Sequence, residues 1–166
     1  TSVWGNNKMY ATEMNNGRVY CMGDATHRHP PSNGLGSNTS VQDAFNLAWK
    51  LPYVLQGKAG QGLLDSYTQE RSPVAKQIVL RANKSIEEFG GILQALGILD
   101  TNDPKVMQTR IDARRDNTPE GAKRRAELKT ALELKDYEFN AHGVELGQRY
   151  ASKAVLKDGT PEPALT

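Results

Sequence analysis

Residues 17–50 have the sequence G-R-V-Y-C-M-G-D-A-T-H-R-H-P-P-S-N-G-L-G-S-N-T-S-V-Q-D-A-F-N-L-A-W-K and contain the clearest structural pattern in the chain. Their first part, Arg18–Met22, is mainly apolar and β-favouring, which predicts a short buried strand that ends at Gly23. The next part, Ala25–Ser37, contains prolines and glycines, which predicts a loop. Apolar residues then recur at helical spacing, which predicts a helix over about Thr39–Gln56.

Both ends of this helix have recognisable signals. Thr39 with Gln42 fits a capping box at the amino end, and Gly57 fits the position just after the carboxyl end. Pro52 lies inside the helix and lacks a backbone N–H, so we expect a kink or a weakened turn there.

The start of this helix is suited to an anion, or to a group that gains negative charge. A helix amino end has unpaired N–H donors and about half a positive charge. Glycines in the preceding loop let a ligand approach the backbone closely. Asp24 follows the strand at the end where ligands of open α/β sheets bind. Its carboxylate suits ligand hydroxyl groups, because an ionised carboxylate only accepts hydrogen bonds.

The pattern G-R-V-x-x-x-G-D-A-x-H-x-x-P-P-x-x-G-x-G-x-N-x-x-x-x-D-A-x-N-L-A-W-K resembles the second FAD-binding motif of the flavoprotein aromatic hydroxylases. Residues 63–76, L-L-D-S-Y-T-Q-E-R-S-P-V-A-K, resemble the helix that follows in the same family. Residues 137–150, Y-E-F-N-A-H-G-V-E-L-G-Q-R-Y, resemble its phenol hydroxylase branch, and the chain as a whole is most similar to the chlorophenol hydroxylases.

The resemblance implies an α/β fold of the FAD/NAD(P)-binding type, here mostly helical with a short amino-terminal β portion. Residues 1–100 would form the carboxyl-terminal part of the FAD-binding domain, and residues 101–166 a helical extension and linker toward a missing domain. A complete domain of this type needs a strand, a G-x-G-x-x-G turn and a helix for the pyrophosphate. The sequence contains none of these in that order. We therefore expect an internal segment of a longer chain, which binds FAD poorly by itself.

The resemblance also implies roles for the residues at the motif positions. Asp24 would hydrogen-bond the ribityl hydroxyls of FAD, whereas its simpler role is a turn-forming aspartate. Backbone N–H groups of Ser37 and Asn38 would face the pyrimidine end of the isoalloxazine ring, and simple helix capping is the alternative. Pro30 and Pro31 would lie beside the flavin and help to place the substrate, or would only stiffen the loop. The implied cofactor-binding residues are Gly23, Asp24, Pro31, Gly34, Gly36, Ser37 and Asn38.

The implied activity is hydroxylation of a phenol or chlorophenol ortho to its hydroxyl, with FAD as cofactor, NADPH as electron donor and O₂ as co-substrate. No residue of this chain is interpreted as a catalytic acid or base, because the groups that deprotonate the phenol are expected on other segments. Related alternatives are a hydroxylase of another phenol or of a polyketide-like aromatic. An alternative of a different class is a non-catalytic helical interaction module.

A metal site is a further alternative, since Cys21, Asp24, His27 and His29 lie close together in sequence. Their spacing matches no standard zinc pattern, and alternate strand residues point to opposite faces, so we predict no metal. His27 is interpreted as a structural hydrogen-bonding residue of the loop.

Two pairs of polar residues are interpreted as structural. Glu70 and Arg71 are expected to form an ion pair or a helix-to-domain contact. Asp43 and Asn46 lie in the first turns of the predicted helix, where we expect them to bond to neighbouring backbone.

The rest of the chain is predicted to be largely helical. Thr1–Met14 is interpreted as a β-hairpin or the tail of a sheet, and Asn15–Gly17 as a turn. A second helix should begin near Leu63, bend or stop at Pro73, and break at Gly90–Gly91.

Two more helices are expected in the carboxyl-terminal part. Lys105–Arg115 fits a short helix. Thr118 and Pro119 are strong start signals for another helix, which should run to about Ala141.

Composition limits the possible partners. The formal net charge of +2 is too small to indicate nucleic-acid binding. No apolar run approaches the roughly 20 residues that span a bilayer, so we expect no membrane partner. The single cysteine, Cys21, fits a reducing, cytoplasmic setting, and a homo-oligomer is possible for the full-length enzyme.

Overall fold

The computed structural model describes residues 5, 7–139, 144 and 146–161. Five helices and four two-residue strands are present in this part of the chain. The strands are β1 Met9–Tyr10, β2 Asn15–Asn16, β3 Val19–Tyr20 and β4 His27–Arg28. The helices are α1 Gly36–Leu55, α2 Gly62–Leu96, α3 Pro104–Asp112, α4 Pro119–Glu133 and α5 Asp136–Phe139. Short 3₁₀ turns cover Gly23–Ala25, Ser32–Gly34 and Ala113–Arg115.

The strands form two antiparallel pairs instead of one hairpin at the amino end. β1 pairs with β4, so that Tyr10 lies opposite His27. β2 pairs with β3 around a turn at Gly17, whose φ of +57° suits glycine. The predicted turn at Asn15–Gly17 is therefore shifted, because both asparagines belong to β2. The predicted hairpin over Thr1–Met14 lies partly outside the described residues, and its described strand pairs elsewhere.

The predicted buried strand Arg18–Met22 is wrong in length and in burial. Only Val19–Tyr20 forms a strand, and Val19 is 66% exposed. The reason is its partner: β3 belongs to a two-stranded ribbon, which leaves one face open.

Helix α1 begins at Gly36, three residues before the predicted start. Thr39 lies inside the first turns, and its hydroxyl donates to the Leu35 carbonyl at 2.7 Å. The predicted capping box of Thr39 and Gln42 is therefore wrong. At the other end Gly57 has a φ of +70°, as predicted for the residue after a helix. The helix continues through Pro52 without interruption.

Helix α2 is also longer than predicted. It is continuous through Pro73 and Gly90–Gly91 to Leu96, so the predicted break at the two glycines is wrong. Glycine costs a helix only about 1 kcal/mol relative to alanine, and extending an existing helix is far easier than nucleating a new one.

The chain divides into two compact units, one made of Thr1–Asn83 with Ala141–Thr166 and the other of Lys84–Asn140. The first unit has two apolar clusters. One contains Met14, Leu47, Leu64 and Tyr67, and the other contains Leu35, Val74 and Ile78.

The second unit confirms two predicted helix starts. Helix α3 covers most of the predicted Lys105–Arg115, and Asp103 caps it by accepting from the Lys105 N–H at 2.8 Å. Thr118 caps α4 by accepting from the Gly121 N–H at 3.1 Å. The predicted helix to Ala141 is divided: α4 ends at Glu133, and α5 follows after a short turn. Ala141 itself lies outside the described residues.

Every helix in the described part of the chain is too short or too polar to cross a membrane.

Gly121 is the most closely packed glycine of the second unit. A Cβ at this residue would lie 2.3 Å from the Asp116 carbonyl oxygen. We expect Gly121→Ala to lower the free energy of unfolding by about 1–3 kcal/mol, because backbone has to move. Urea unfolding followed by circular dichroism measures this change.

The matched control is Gly91→Ala in α2, where a Cβ would meet nothing within 4 Å. Alanine there should stabilise the helix by about 0.5–1 kcal/mol. Equal effects of the two substitutions would contradict this packing.

Candidate cofactor site

The turn Gly23–Ala25 packs directly against the first turns of α1. Gly23 has a φ of +61°, in the left-handed region. A Cβ at Gly23 would lie 2.9 Å from the Ser40 hydroxyl, so only glycine fits without movement. The turn thus brings Asp24 beside the start of α1.

Asp43 of α1 attaches this turn to the helix. Its Oδ2 accepts hydrogen bonds from the Gly23 N–H at 3.1 Å and from Nε2 of His27 at 2.8 Å. Its Oδ1 accepts from Nε of Arg71 at 2.7 Å. The side chains of Asp43, His27 and Arg71 are all fully buried.

The environment of Asp43 favours its charged form. Burial by itself raises the pKa of Asp43. The hydrogen bonds from His27 and Arg71 and the charge of Arg71 outweigh burial and hold this pKa below its usual value. Since an ionised carboxylate only accepts hydrogen bonds, Nε2 of His27 has to carry the proton of their bond.

Arg71 extends the cluster to the carboxyl-terminal segment. Its guanidinium donates to the Thr39 carbonyl at 3.3 Å, to Gln148 at 2.8 Å and to the Tyr150 hydroxyl at 3.0 Å. The segment around residues 148–152 is thereby held against α1 and α2.

A second buried ion pair, between Lys50 and Glu70, joins the same two helices. Lys50 donates to Glu70 at 2.6 Å, and Asn46 and Ser152 donate to the same carboxylate. Burial raises the pKa of Glu70, but these hydrogen bonds outweigh it and lower the pKa overall. Glu70 and Arg71 are therefore structural as predicted, but each pairs with α1 and not with the other.

The expected backbone partners of Asp43 and Asn46 are only partly present. Asp43 does accept from one backbone N–H, that of Gly23. Its other partners are side chains, and Asn46 donates to Glu70. The reason is position: both residues are buried on the face of α1 that packs against α2, where charged partners are available.

An open cavity of about 650 Å³ lies beside this turn, in the first unit. Five of the predicted cofactor-binding residues line it: Asp24, Pro31, Gly34, Gly36 and Ser37. Gly23 and Asn38 do not line it, because Gly23 is the buried residue of the turn, packed against Ser40 of α1, and Asn38 lines a separate cavity of about 520 Å³. The predicted residues are thus brought together from the turn, the loop and the helix start.

The loop before α1 is shaped by left-handed residues. Asn33 and Gly34 have φ values of +69° and +62°. Asparagine tolerates this conformation better than most other residues, and glycine does so freely. Pro31 lines the cavity, whereas Pro30 is fully buried, and its carbonyl pairs with Nδ1 of His29 at 2.7 Å.

The start of α1 presents backbone donors. The first backbone bond of the helix runs from the Thr39 N–H to the Leu35 carbonyl at 2.9 Å. By helical geometry the N–H groups of Gly36, Ser37 and Asn38 have no acceptor inside the helix. Gly36 and Ser37 both line the cavity, so their donors are available to a ligand.

Asp24 is exposed, and its carboxylate has no hydrogen-bond or ion-pair partner among the described residues. Nε of Arg28 donates to its backbone carbonyl at 3.0 Å and leaves the carboxylate oxygens free. Within the described part of the chain, the cavity therefore combines an unpaired acceptor with unpaired donors.

Five further polar residues line the same cavity and are not among the predicted cofactor-binding residues: Asn7, His27, Arg28, His29 and Ser40. Arg28 and His29 lie inside the quoted motif, where their position after Asp24 was a usable signal. Asn7 has no such signal, because only the pairing of β1 with β4 brings it to the site.

No group of three His, Cys, Asp or Glu side chains suited to a metal ion occurs among the residues that the structure describes.

Comparison with known proteins identifies the family. Residues 1–82 match the sequence model of the family described as FAD binding domain. This part of the chain belongs to the FAD-binding domain family. The resemblance to flavoprotein aromatic hydroxylases, and the fold class that it implied, are thereby confirmed.

Individual relatives match nearly the whole chain. It is 58% identical to 2,4-dichlorophenol 6-monooxygenase of Delftia acidovorans, over 99% of this chain and 28% of the relative. It is 56% identical to phenol 2-monooxygenase of Pseudomonas sp. (strain EST1001), over 99% of this chain and 27% of the relative. The chain thus spans little more than a quarter of these relatives, which is consistent with the predicted internal segment.

A solved structure supports the fold. The flavin-dependent monooxygenase PieE, crystallised with FAD and substrate, superimposes with a TM-score of 0.92 and 48% identity. The match covers 97% of this chain and 28% of PieE.

Replacing Asp43 tests the buried cluster. We expect Asp43→Asn to lower the free energy of unfolding at neutral pH by about 3–5 kcal/mol, because Arg71 is left buried without its counter-charge. A carboxylate whose pKa is lowered on folding stabilises the protein above its unfolded-state pKa of about 3.9. That contribution disappears as the pH falls through the lower, folded-state pKa. The difference from wild type should therefore shrink below about pH 4.

Urea unfolding at several pH values measures this difference. The control is Asp65→Asn, which changes an exposed residue in the first turn of α2 and should cost less than about 1 kcal/mol. A difference between wild type and Asp43→Asn that is independent of pH would contradict the role of charge.

Proposed function

We propose that this chain is a segment of an FAD-dependent, NADPH-using monooxygenase that hydroxylates a phenol or chlorophenol ortho to its hydroxyl. The product is the corresponding catechol, and O₂ is the co-substrate. The observation that carries the proposal is the cavity of about 650 Å³, where the carboxylate of Asp24 and the N–H donors of Gly36 and Ser37 have no partner among the residues that the structure describes. The high identity to named phenol and chlorophenol monooxygenases supports the substrate class.

The residues of the cavity fit FAD chemically. The carboxylate of Asp24 is an acceptor without a partner in the described chain, which suits the ribityl hydroxyl groups of the cofactor. The glycines at positions 34 and 36 leave space for a flat ring to approach the backbone. The volume is within the range of about 300–1,000 Å³ that is usual for ligand pockets.

The donors at the start of α1 suit the negatively charged part of a reduced flavin. Their N–H groups are fixed by the helix and need no rearrangement when charge appears. We assign this role to the backbone of Ser37, with that of Gly36 beside it, and Gly23 permits the close approach of the turn. Asn38, predicted for the same role, lines the separate cavity. When bound, FAD supplies the redox chemistry that activates O₂ and transfers one oxygen atom to the phenol.

We further propose that Pro31, with Pro30 behind it, forms the part of the cavity wall nearest the phenol. Pro31 lines the cavity, and the bond between His29 and the Pro30 carbonyl stiffens the loop.

On this proposal, residues 1–100 are the carboxyl-terminal part of the FAD-binding domain, and residues 101–166 are a helical extension. The groups that deprotonate the phenol would lie elsewhere in the full-length protein.

A panel of aromatic compounds tests the reaction. We expect the full-length protein with FAD to oxidise NADPH in the presence of phenol or 2,4-dichlorophenol and to form the matching catechol. Anisole is the control, because its methylated oxygen cannot ionise and activate the ring; it should react at least about tenfold more slowly. NADPH absorbance measures the oxidation of NADPH, and chromatography of the products measures the formation of the catechol. Exclusive turnover of fused polyketide-like aromatics would favour the alternative substrate class, and no turnover of any phenol would contradict the proposal.

Substituting Asp24 tests the cofactor site. We expect Asp24→Ala in the full-length protein to raise the dissociation constant of FAD by about 10–100-fold, because hydrogen bonds to a charged group contribute about 1.5–3 kcal/mol. Quenching of flavin fluorescence measures the constant. Asp65→Ala, an exposed aspartate outside the cavity, should leave it within about twofold of wild type. An unchanged constant in Asp24→Ala would contradict the assignment.

A further inference from the structure

The segment Gly23–His27 is held at both ends by a single oxygen atom. Oδ2 of Asp43 accepts from the backbone N–H of Gly23 at 3.1 Å and from Nε2 of His27 at 2.8 Å. Asp24 lies between these two contacts. Because the segment is short, fixing both of its ends restricts the backbone of Asp24.

The anchor atom is itself immobilised. Asp43 has no exposed surface, and its other oxygen accepts from Nε of Arg71 at 2.7 Å. Arg71 is held in turn by Thr39, Gln148 and Tyr150. On the helix side the turn packs closely on α1, since a Cβ at Gly23 would lie 2.9 Å from the Ser40 hydroxyl.

Asp24 contrasts with this rigid surround. Its carboxylate has no side-chain partner among the described residues, and it is exposed to the cavity. The backbone of the turn therefore determines the direction in which this side chain leaves the chain, and no side-chain partner restricts it further. A free carboxylate that has to meet a ligand hydroxyl within hydrogen-bonding distance depends on such preorganisation.

We propose that Asp43 and His27 are positioning residues that hold the carboxylate of Asp24 at the cofactor cavity. They affect FAD affinity through Asp24. Because His27 also lines the cavity, a direct contact of its ring with the cofactor is the alternative that the test distinguishes. This inference rests on the proposed function, because it presumes that Asp24 binds FAD.

The test uses two amide variants of His27 in the full-length flavoprotein. The amide nitrogen of His27→Gln reaches the position of Nε2 and keeps a donor for Asp43. The shorter His27→Asn does not reach, and the far end of the turn is released. Both variants leave the Asp43–Arg71 ion pair in place, so the comparison isolates one hydrogen bond.

We expect His27→Asn to raise the dissociation constant of FAD about tenfold, and His27→Gln to change it less than about twofold. The same pair is then measured in an Asp24→Ala background. There His27→Asn should change the constant less than about twofold, because the group that it positions is gone. Thermal unfolding of each apoprotein checks that the variants are folded at the assay temperature.

Gly23→Ala provides an independent arm if His27→Asn does not fold. Its methyl group would press on Ser40 and displace the turn while the side chains of Asp43, His27 and Arg71 stay intact. It should weaken FAD binding about tenfold when Asp24 is present and less than about twofold when Asp24 is alanine.

The outcomes separate this inference from the proposed function. If the wild-type protein does not bind FAD, the proposed function fails first. If Asp24→Ala loses FAD but His27→Asn and His27→Gln behave alike, the positioning role is wrong. An equal loss from His27→Asn with and without Asp24 would show a general structural effect or a direct contact of His27 with the cofactor, and either would also overturn it.

Discussion

The ion pair of Asp43 and Arg71 is the interaction on which the first unit depends. Both side chains are fully buried, and each joins helices α1 and α2 to a segment that has little structure of its own. Asp43 holds the turn that bears Asp24, and Arg71 holds the carboxyl-terminal segment through Gln148. A buried pair of this kind contributes little net stability compared with an apolar pair, but it is costly to break. Its main effect is therefore to select one arrangement of these segments.

This arrangement explains how a site forms with so little β structure. The described strands contain only two residues each, so they cannot place a ligand-binding residue by themselves. The turn is positioned instead by side-chain bonds to the helix behind it. The exposed carboxylate of Asp24 and the donors at the start of α1 then share one cavity. Hydrogen bonds from buried charged groups thus fix the position of the ligand-binding turn, which a larger sheet does in many other folds.

The parts of the site that sequence could predict are those set by local chemistry. Glycines mark the positions with positive φ, such as Gly34, and the motif spacing indicates Asp24 and Ser37. The predictions that failed depended on distant residues. The hydroxyl of Thr39 suits a cap and predicts the start of α1 there, yet the loop packs so that the helix begins at Gly36. The lining residue Asn7 was missed, because it arrives through strand pairing.

The sequence by itself determined the family, the mostly helical character, the order of turn, loop and helix, and the helix start at Thr118, because each depends on residues near one another in the chain. Only the tertiary structure decided the partners of the buried charges. A charged side chain in an amphipathic helix has no unique partner in sequence. Packing α2 against α1 assigns Arg71 to Asp43 and Glu70 to Lys50, since each buried charge needs an opposite charge within contact distance.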